Sequence, residues 1–455
     1  MRQLILTLLL LSGMVASPLL QAVEAKPAPP LSWNEAENKV SASVDDWKLD
    51  RLMKELAKVT NWQILVEPGT DVIVSAKFQD QTTREALNRL LREVNYAVVR
   101  EADSPTKLLI FRTNAKNATQ PVKSITEEEA LIEAARIANE LIISVKPGTN
   151  IESLAARYGA KVIAGIPELG LYRLRFEDAD KADFAKTQLA NFPEVKGVEY
   201  NYNVTRPDSP IVAGSSAPLP FSLNPTATSG NSVVIGLIDT AVQPLSGKMN
   251  DFLLKAIYAA GDPNLDSGLL HGTSMAETIL RAMAQVAEGS SSTKILPVDV
   301  FGNRETTSTF DLANGIYLAV KNGANVINMS LGSPATAGYL ETLIANSSAQ
   351  GVLFLGAAGN EPTTAPTYPA AYSQVIAVTA GNRNGAIAAY ANYGDFVDIV
   401  APGSSLVTYN GKTYLVGGTS AATATSTGVA AQLKTSKATD EQIRQKLSQL
   451  WPRTK

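Results

Sequence analysis

The 455-residue sequence contains no cysteine and a single histidine, His271. The absence of cysteine excludes a disulfide framework, a thiol nucleophile and a thiolate metal site. The single histidine excludes metal sites that need two or more imidazoles. Histidine is the side chain best suited to exchange protons near neutral pH, so His271 is the candidate for imidazole acid–base chemistry. A structural role for a lone histidine is the alternative, and the surrounding motifs decide between the two.

The chain also lacks a charge imbalance and long hydrophobic runs. A formal net charge of -3 gives no broad basic field, which argues against a nucleic-acid partner. Residues 1–25 have a basic residue, an apolar run and a small-residue end, as in a secretory signal peptide. No later segment approaches ~18 unbroken apolar residues. We therefore expect an exported bacterial protein, periplasmic or secreted, with no membrane span in the mature chain. The alternative is an uncleaved N-terminal anchor.

Residues 231–455 alternate between short apolar runs and helical patterns. Strands are predicted at residues 233–238, 295–300, 325–329, 352–356 and 375–378, and helices at 273–286, 310–321, 339–349 and 420–433. Alternation of this kind implies a parallel sheet with helices on both faces. The sequence therefore predicts an α/β domain.

Four residues of this domain fit nucleophilic catalysis. Asp239 ends the first strand, while His271 and Ser420 each open a helix. A serine hydroxyl is a weak nucleophile unless a base takes its proton, and the base needs a carboxylate to fix its tautomer. The chain order Asp, His, Ser is that of the subtilisin arrangement. Asn360 follows a tight glycine turn and, with the backbone N–H of Ser420, can donate to a developing oxyanion.

The motifs around these residues resemble the subtilase peptidase family. Residues 237–240 read Leu-Ile-Asp-Thr, 271–273 His-Gly-Thr, 358–360 Ala-Gly-Asn and 418–420 Gly-Thr-Ser. The resemblance implies a subtilisin-like fold and a serine endopeptidase that hydrolyses polypeptides through an acyl-enzyme intermediate. It assigns the triad to Asp239, His271 and Ser420, and the oxyanion hole to Asn360.

The same resemblance assigns the substrate cleft. Residues 326–332 match the family strand that pairs with the peptide, which implies substrate binding by Ser330, Leu331 and Gly332. The resemblance also implies substrate binding by Ala358 and Gly359, in the segment that ends at Asn360. No cofactor is predicted. Structural calcium is common in subtilases, but this sequence does not identify its ligands, so no metal ligand is assigned.

Three positions depart from the family pattern. Ala241 and Glu277 stand where the family usually has glycine, and Ala424 stands where it has proline. None is a triad or oxyanion residue, so these departures bear on specificity and rate. They also support the alternative hypothesis, a catalytically silent subtilase-fold binding scaffold at the cell envelope.

A second unit precedes the catalytic domain at residues 140–204. After a polar linker at 113–123 and a predicted helix at 127–139, the pattern gives strands at 141–145, 161–164, 171–176 and 195–200 and helices at 151–158 and 182–189. This β-α-β-β-α-β order is ferredoxin-like. It is similar to the inhibitor-type propeptide of many subtilases, which implies a chaperone and inhibitor. A permanently attached accessory domain is the alternative. The Pro/Ser-rich residues 205–230 predict an exposed linker.

The first unit, residues 40–112, has the pattern of a small α+β domain. Apolar spacing over 49–59 predicts a helix, Thr82 and Glu85 predict a capping box, and strands are expected at 62–66, 72–78, 96–99 and 108–111. The order resembles the short N-terminal domain of secretins and TonB-dependent receptors. The resemblance implies an envelope protein partner that binds residues 40–112, and a simple spacer is the alternative.

Overall fold

The computed structural model describes residues 29–453 except 35, 101–104, 123–125, 207–210, 214–218, 228–231, 267 and 383. The chain divides into two compact units, Met1–Thr126 and Glu127–Lys455. The predicted signal peptide lies outside the described residues. No helix within them is long and apolar enough to cross a membrane.

The first unit combines two small sheets with two helices. One sheet has the order β1-β2-β4 and the other β5-β6-β3-β7. The apolar faces of α1 and α2 pack with both sheets into one core. The elements are β1 (Leu31–Asn34), β2 (Lys39–Lys48), α1 (Leu49–Thr60), β3 (Gln63–Val66), β4 (Ile73–Gln81), α2 (Thr83–Leu90), β5 (Asn95–Val99), β6 (Lys107–Phe111) and β7 (Gln120–Val122).

The predicted capping box of α2 is confirmed, since Thr82 and Glu85 bond each other's backbone N–H groups. Strand pairing extends past residues 40–112 on both sides, through β1 and β7. Strand β2 was not predicted because a bulge between Val44 and Trp47 switches the buried side chains from even to odd positions. Asp46 has a φ of 50° there, which breaks the two-residue alternation that marks a strand.

The second unit begins with α3 and the predicted ferredoxin-like fold. Its antiparallel strands have the order β11-β8-β10-β9, and a later two-residue strand, Thr307–Ser308, extends this sheet beside β11. Helices α4 and α5 pack with the sheet into one core. The predicted helix at 127–139 is wrong in its last turn, because Arg136 already pairs with Tyr202 in the sheet. The elements are α3 (Glu127–Ala135), β8 (Arg136–Val145), α4 (Ile151–Arg157), β9 (Lys161–Ile166), β10 (Leu171–Arg175), α5 (Ala179–Leu189) and β11 (Val195–Val204).

The rest of the second unit contains the predicted parallel sheet, with strand order β15-β17-β14-β19-β20-β21-β22. The remaining strands are β12 (Ile211–Ala213), β13 (Asn224–Pro225), β14 (Val234–Asp239), β15 (Ile257–Tyr258), β16 (Ser290–Ser291), β17 (Lys294–Asp299), β18 (Thr307–Ser308), β19 (Val326–Met329), β20 (Leu353–Ala357), β21 (Val375–Gly381), β22 (Ile399–Pro402), β23 (Ser404–Tyr409) and β24 (Lys412–Gly417). The helices are α6 (His271–Val286), α7 (Thr309–Lys321), α8 (Gly338–Ala349), α9 (Thr419–Thr435) and α10 (Asp440–Leu450).

Helices cover both faces of this sheet, as predicted. Alternation along β14 shows how: Ile235 and Leu237 pack with α6 and α9, whereas Ile238 packs with α7 and α8. Burial on both faces explains why the sheet strands read as continuous apolar runs rather than alternating ones. The arrangement leaves the carboxyl edge of the sheet, where β14 ends at Asp239, as the place where polar side chains collect.

Candidate active site

Asp239 and His271 meet at the carboxyl edge of the parallel sheet. Nδ1 of His271 lies 2.8 Å from Oδ1 and 3.0 Å from Oδ2 of Asp239. Both side chains are buried, and Oδ1 also accepts the backbone N–H of Thr240 at 2.7 Å. A carboxylate in this position favours the tautomer with the proton on Nδ1, which leaves Nε2 as the basic nitrogen.

The first turn of α6 lies directly against the loop that follows Asp239. The backbone N–H of Gly272 donates to Oγ1 of Thr240 at 2.8 Å. A Cβ atom on residue 272 would lie 2.1 Å from the carbonyl oxygen of Thr240, far inside van der Waals contact. The glycine after His271 therefore permits the close approach that the Asp239–His271 hydrogen bond requires.

Ser420 lies in the first turn of α9 and is fully buried. Gly428, further along α9, packs against the backbone of α6, since a Cβ there would lie 2.5 Å from the carbonyl oxygen of Ile279. Gly428 follows Ser420 by eight residues, as Ile279 follows His271. This close contact therefore holds the serine and histidine helices side by side.

The proton-transfer atoms of His271 and Ser420 have no hydrogen-bond partner among the described residues. Nε2 of His271 and Oγ of Ser420 are both buried and unpaired there. The Asp239–His271 hydrogen bond is thus formed, and the Ser420–His271 bond is not. Catalytic hydrogen bonds are often long in unliganded proteins and shorten when substrate binds.

Asn360 contacts the residue that precedes Ser420. Its Oδ1 accepts both the backbone N–H and the hydroxyl of Thr419, each at 2.9 Å. Oδ1 faces the start of α9, so the donor of the same amide, Nδ2, faces away from Thr419. The N–H of Ser420 belongs to the first helical turn, where backbone donors have no intrahelical acceptor. The two donors predicted for an oxyanion hole thus come from adjoining segments.

The predicted substrate segment at 330–332 lies beside Ser420. The hydroxyl of Ser330 donates to the carbonyl oxygen of Ser420 at 3.4 Å. Gly332 exchanges two backbone hydrogen bonds with Thr205, at 2.9 Å and 2.7 Å. The backbone of Gly332 therefore already pairs with an extended chain segment, which is the contact expected for a peptide.

Among the other predicted substrate residues, Leu331 and Ala358 are buried and Gly359 is half-buried. Leu331 packs in the same core cluster as Val204. The N–H of Ala358 donates to Val378 at 2.9 Å within the sheet, and the N–H of Gly359 donates to Oγ1 of Thr419 at 3.2 Å. Because both N–H groups already donate within the protein, Ala358 and Gly359 would contact a substrate through other atoms.

Strand β11 contacts the starts of α7 and α8. The carboxylate of Glu199 accepts the N–H groups of Gly338 and Tyr339 at 2.6 Å and 3.1 Å, which caps the start of α8. Oδ1 of Asn201 accepts the N–H of Phe310 at 3.2 Å, near the start of α7. Strand β11 also pairs with β18. These contacts hold the ferredoxin-like fold against α7, α8 and β18.

A second buried carboxylate lies next to Asp239 and was not predicted. Asp299 is in register with Asp239 on the neighbouring strand β17, and its Oδ1 accepts the N–H groups of Phe301 and Gly302, each at 2.9 Å. Burial raises the pKa of the Asp299 carboxyl, and the charge of Asp239 raises it further. Its position at the end of a buried parallel strand, like that of Asp239, was the available signal.

All three residues that depart from the family pattern are buried. Oε1 of Glu277 accepts from Nε of Arg281 at 2.8 Å and from the N–H of Thr408 at 2.8 Å, which ties α6 to β23. Burial raises the pKa of the Glu277 carboxyl, while Arg281 opposes the shift. Ala241 and Ala424 are fully packed side chains.

The part of the chain that the structure describes contains no cluster of potential metal-ligating side chains. No group of three or more histidine, aspartate or glutamate side chains is placed there to hold an ion. These residues therefore identify no carboxylate ligands for the structural calcium that is common in subtilases.

Family comparisons match both parts of the second unit. The profile described as "Subtilase family" matches residues 230–450, and that described as "Fervidolysin N-terminal prodomain" matches residues 122–201. A thermostable alkaline protease from Halalkalibacterium halodurans is 30% identical over 328 residues, which cover 70% of this chain and 87% of that protein. Subtilisin Savinase from Lederbergia lenta is 35% identical over 211 residues, which cover 45% of this chain and 77% of that protein.

Among solved structures, fervidolysin from Fervidobacterium pennivorans, described as a keratinolytic enzyme related to subtilisin, matches with a TM-score of 0.56 and 20% identity. The match covers 68% of this chain and 57% of the fervidolysin chain. At this identity the likeness supports the fold alone, and it agrees with the predicted subtilisin-like α/β class.

We expect Gly272→Ala to destabilise the protein, because the new methyl group would overlap the carbonyl oxygen of Thr240. Overpacking of this kind costs about 1–3 kcal/mol, so the free energy of unfolding in urea should fall by that amount. Gly268→Ala is the matched control, since a Cβ there meets nothing within 4 Å. Equal stability of the two variants would contradict the close-approach argument.

Proposed function

The chain belongs to the subtilase family and is a subtilisin-like serine protease, and we propose that it cleaves peptide bonds through Asp239, His271 and Ser420. The observation that carries the proposal is the buried 2.8 Å contact between His271 Nδ1 and Asp239 Oδ1, on a helix packed against the one that carries Ser420. His271 is the only imidazole of the chain, so no other histidine competes for the role.

The proposed mechanism follows from these positions. Oγ of Ser420 attacks the scissile carbonyl carbon while Nε2 of His271 takes its proton. Asp239 keeps the proton on Nδ1 and stabilises the imidazolium that forms. His271 then protonates the leaving amine, and water hydrolyses the acyl-enzyme with the same histidine as base. Substrate polypeptide would pair with the backbone of Gly332, as Thr205 does.

Oxyanion stabilisation is proposed for Nδ2 of Asn360 and the backbone N–H of Ser420. The support is the pair of 2.9 Å bonds that fix the amide of Asn360 against Thr419. Donors fixed before the reaction stabilise the developing charge without reorganisation. The proposal therefore gives Asn360 a role in the transition state rather than in substrate binding.

We expect Ser420→Ala to abolish peptide hydrolysis and labelling by a fluorophosphonate probe, because the nucleophilic oxygen is removed.

Asn360→Leu should lower kcat by about 10²–10³-fold with little change in KM, the loss seen when an oxyanion donor is removed from a subtilisin. Ser436→Ala, at the exposed end of the same helix, is the control and should keep full activity.

The alternative function is a catalytically silent binding scaffold, which the departures at Ala241, Glu277 and Ala424 motivate. Fluorophosphonate labelling of the wild-type protein distinguishes the two functions. A folded wild-type protein that neither takes up the probe nor cleaves peptides would refute the protease proposal.

We further propose that residues 140–204 act as a propeptide that assists folding and inhibits the enzyme until cleavage in the linker at 205–230. The support is the antiparallel pairing of Thr205 with Gly332, together with the helix caps that Glu199 and Asn201 supply. The backbone of Ile211–Ala213 pairs with β24, which leads into Ser420. A peptide bond cleaved between Thr205 and Ile211 would thus lie between a residue that pairs with the predicted substrate segment and a strand that pairs with β24.

Intact-mass measurement after export tests self-processing. We expect wild type to lose the residues that precede a new N-terminus between Thr205 and Ile211, and Ser420→Ala to keep them. Wild-type enzyme added to Ser420→Ala would show whether a second molecule can make the cut. Identical masses of the two proteins, each retaining residues 140–204, would favour a permanently attached accessory domain.

We propose that residues 1–25 direct export, to the periplasm or the medium, and that residues 40–112 bind an envelope protein rather than take part in catalysis. The support is that Met1–Thr126 is a compact unit whose apolar pattern is accounted for by its own core. The partner itself is inferred by fold-level analogy.

Deletion of residues 26–124 tests this separation of roles. We expect unchanged kcat and KM for peptide hydrolysis by the processed enzyme, with altered localisation or loss of co-purifying envelope proteins. A large loss of kcat in a deletion variant with an unchanged circular dichroism spectrum would instead assign the first unit to the catalytic machinery.

A further inference from the structure

We propose that Gln243 is a positioning residue that holds His271 in place against Asp239. It does so by capping the histidine helix from the loop that carries the aspartate. The proposal rests on the catalytic role of His271 given above, and it concerns a residue that the family motifs do not include.

The oxygen of the Gln243 side chain binds the start of α6. Oε1 accepts the backbone N–H of Leu270 at 3.0 Å and the hydroxyl of Thr273 at 3.1 Å. The backbone N–H of Gln243 in turn donates to Oγ1 of Thr273 at 2.9 Å. Leu270 immediately precedes His271, so these bonds hold the backbone just before the histidine and the Thr273 side chain just after it.

The nitrogen of the same amide binds the loop that leads into the helix. Nε2 is within hydrogen-bond distance of the carbonyl oxygens of Leu265 and Gly268, at 2.8 Å and 2.9 Å, and of the Tyr409 hydroxyl at 2.7 Å. The residue is 2% exposed, so these bonds do not compete with bulk water. Gln243 thus connects three segments: the loop after Asp239, the loop before His271 and the strand β23.

The helix needs this support because it lacks a cap of its own. Its N-cap residue is Leu270, whose side chain makes no capping hydrogen bond. The first turn of a helix leaves backbone N–H groups without partners, and polar side chains usually satisfy them. Here Thr240 and Gln243 supply those acceptors, and both lie within four residues of Asp239.

The cap and the carboxylate therefore belong to one short loop. Any displacement of that loop moves Asp239 and the start of α6 together, which preserves the distance from Oδ1 to Nδ1 of His271. Catalysis is sensitive to this alignment, since a misplacement of about 1 Å can cost about 10²-fold in rate. Loss of the Gln243 side chain should allow Asp239 and the start of α6 to move independently of each other.

Kinetic and spectroscopic measurements on Gln243→Ala test the proposal. We expect kcat to fall by about 10–10²-fold while KM changes by less than about twofold, because substrate-binding groups are untouched. The low-field proton resonance of His271 Nδ1–H, unambiguous in a chain with one histidine, should shift or broaden in the full-length chain. Tag-free protein in the Ser420→Ala background keeps the chain intact for the spectra.

Gln432→Ala is the matched control. Its amide also makes a partly buried side-chain bond, from Nε2 to Ser291 Oγ at 2.7 Å, but lies at the far end of the serine helix. We expect a smaller fall in unfolding free energy than for Gln243→Ala, because one bond is lost rather than several, with unchanged kcat and an unchanged His271 resonance. If Gln243→Ala behaves in the same way, Gln243 has only a structural role and the proposal is wrong.

Tyr409→Phe provides a milder variant should Gln243→Ala fail to fold. It removes one acceptor of the Gln243 amide, and we expect a smaller fall in kcat and a smaller shift of the same resonance. An unchanged resonance and kcat in Tyr409→Phe would then overturn the proposal. The resonance does not require turnover, so an inactive wild type would refute the protease function while leaving the effect of Gln243 measurable.

Discussion

The contact between the loop after Asp239 and the first turn of α6 is the constraint on which the rest of the site depends. It brings a buried carboxylate to 2.8 Å from the single imidazole of the chain. A hydrogen bond of this kind has the right length only if two backbones approach more closely than a side chain at residue 272 would permit. The glycine at that position and the cap residues Thr240 and Gln243 together satisfy this requirement.

The parallel sheet explains why the remaining groups collect at the same place. The carboxyl ends of β14 and β20 lie on one edge, and they carry Asp239 and the turn with Asn360. Helices that start at this edge direct the positive ends of their dipoles toward it, which favours developing negative charge. Ser420 lies in such a first turn, against the amide of Asn360. On the proposed mechanism, the fold supplies the oxyanion donors before any substrate is bound.

Short motifs predicted the residues of the proposed catalytic centre from the sequence, whereas the residues that support this centre were not predicted. Asp239, His271, Asn360 and Ser420 lie at the ends of strongly patterned elements, so their residue types and order were informative. Gln243 acts through partners that are 22 to 30 residues away in the helix and the loop before it, and no local pattern marks it. Asp299 ends a buried strand as Asp239 does, but no family motif surrounds it. Strand β2 was missed because a bulge breaks its alternation. The helix predicted over 127–139 ended early because pairing with β11 overrode helical spacing.

The most direct test of the account is a crystal structure of the protein after reaction with a peptidyl phosphonate, which mimics the tetrahedral intermediate. We predict a covalent bond from phosphorus to Oγ of Ser420, with Nε2 of His271 within hydrogen-bond distance of the adduct and Nδ1 still bonded to Asp239. One phosphonyl oxygen should accept from Nδ2 of Asn360 and the N–H of Ser420, about 2.7–3.1 Å away. An adduct on another residue, or one whose oxygen points away from Asn360, would contradict the proposed mechanism.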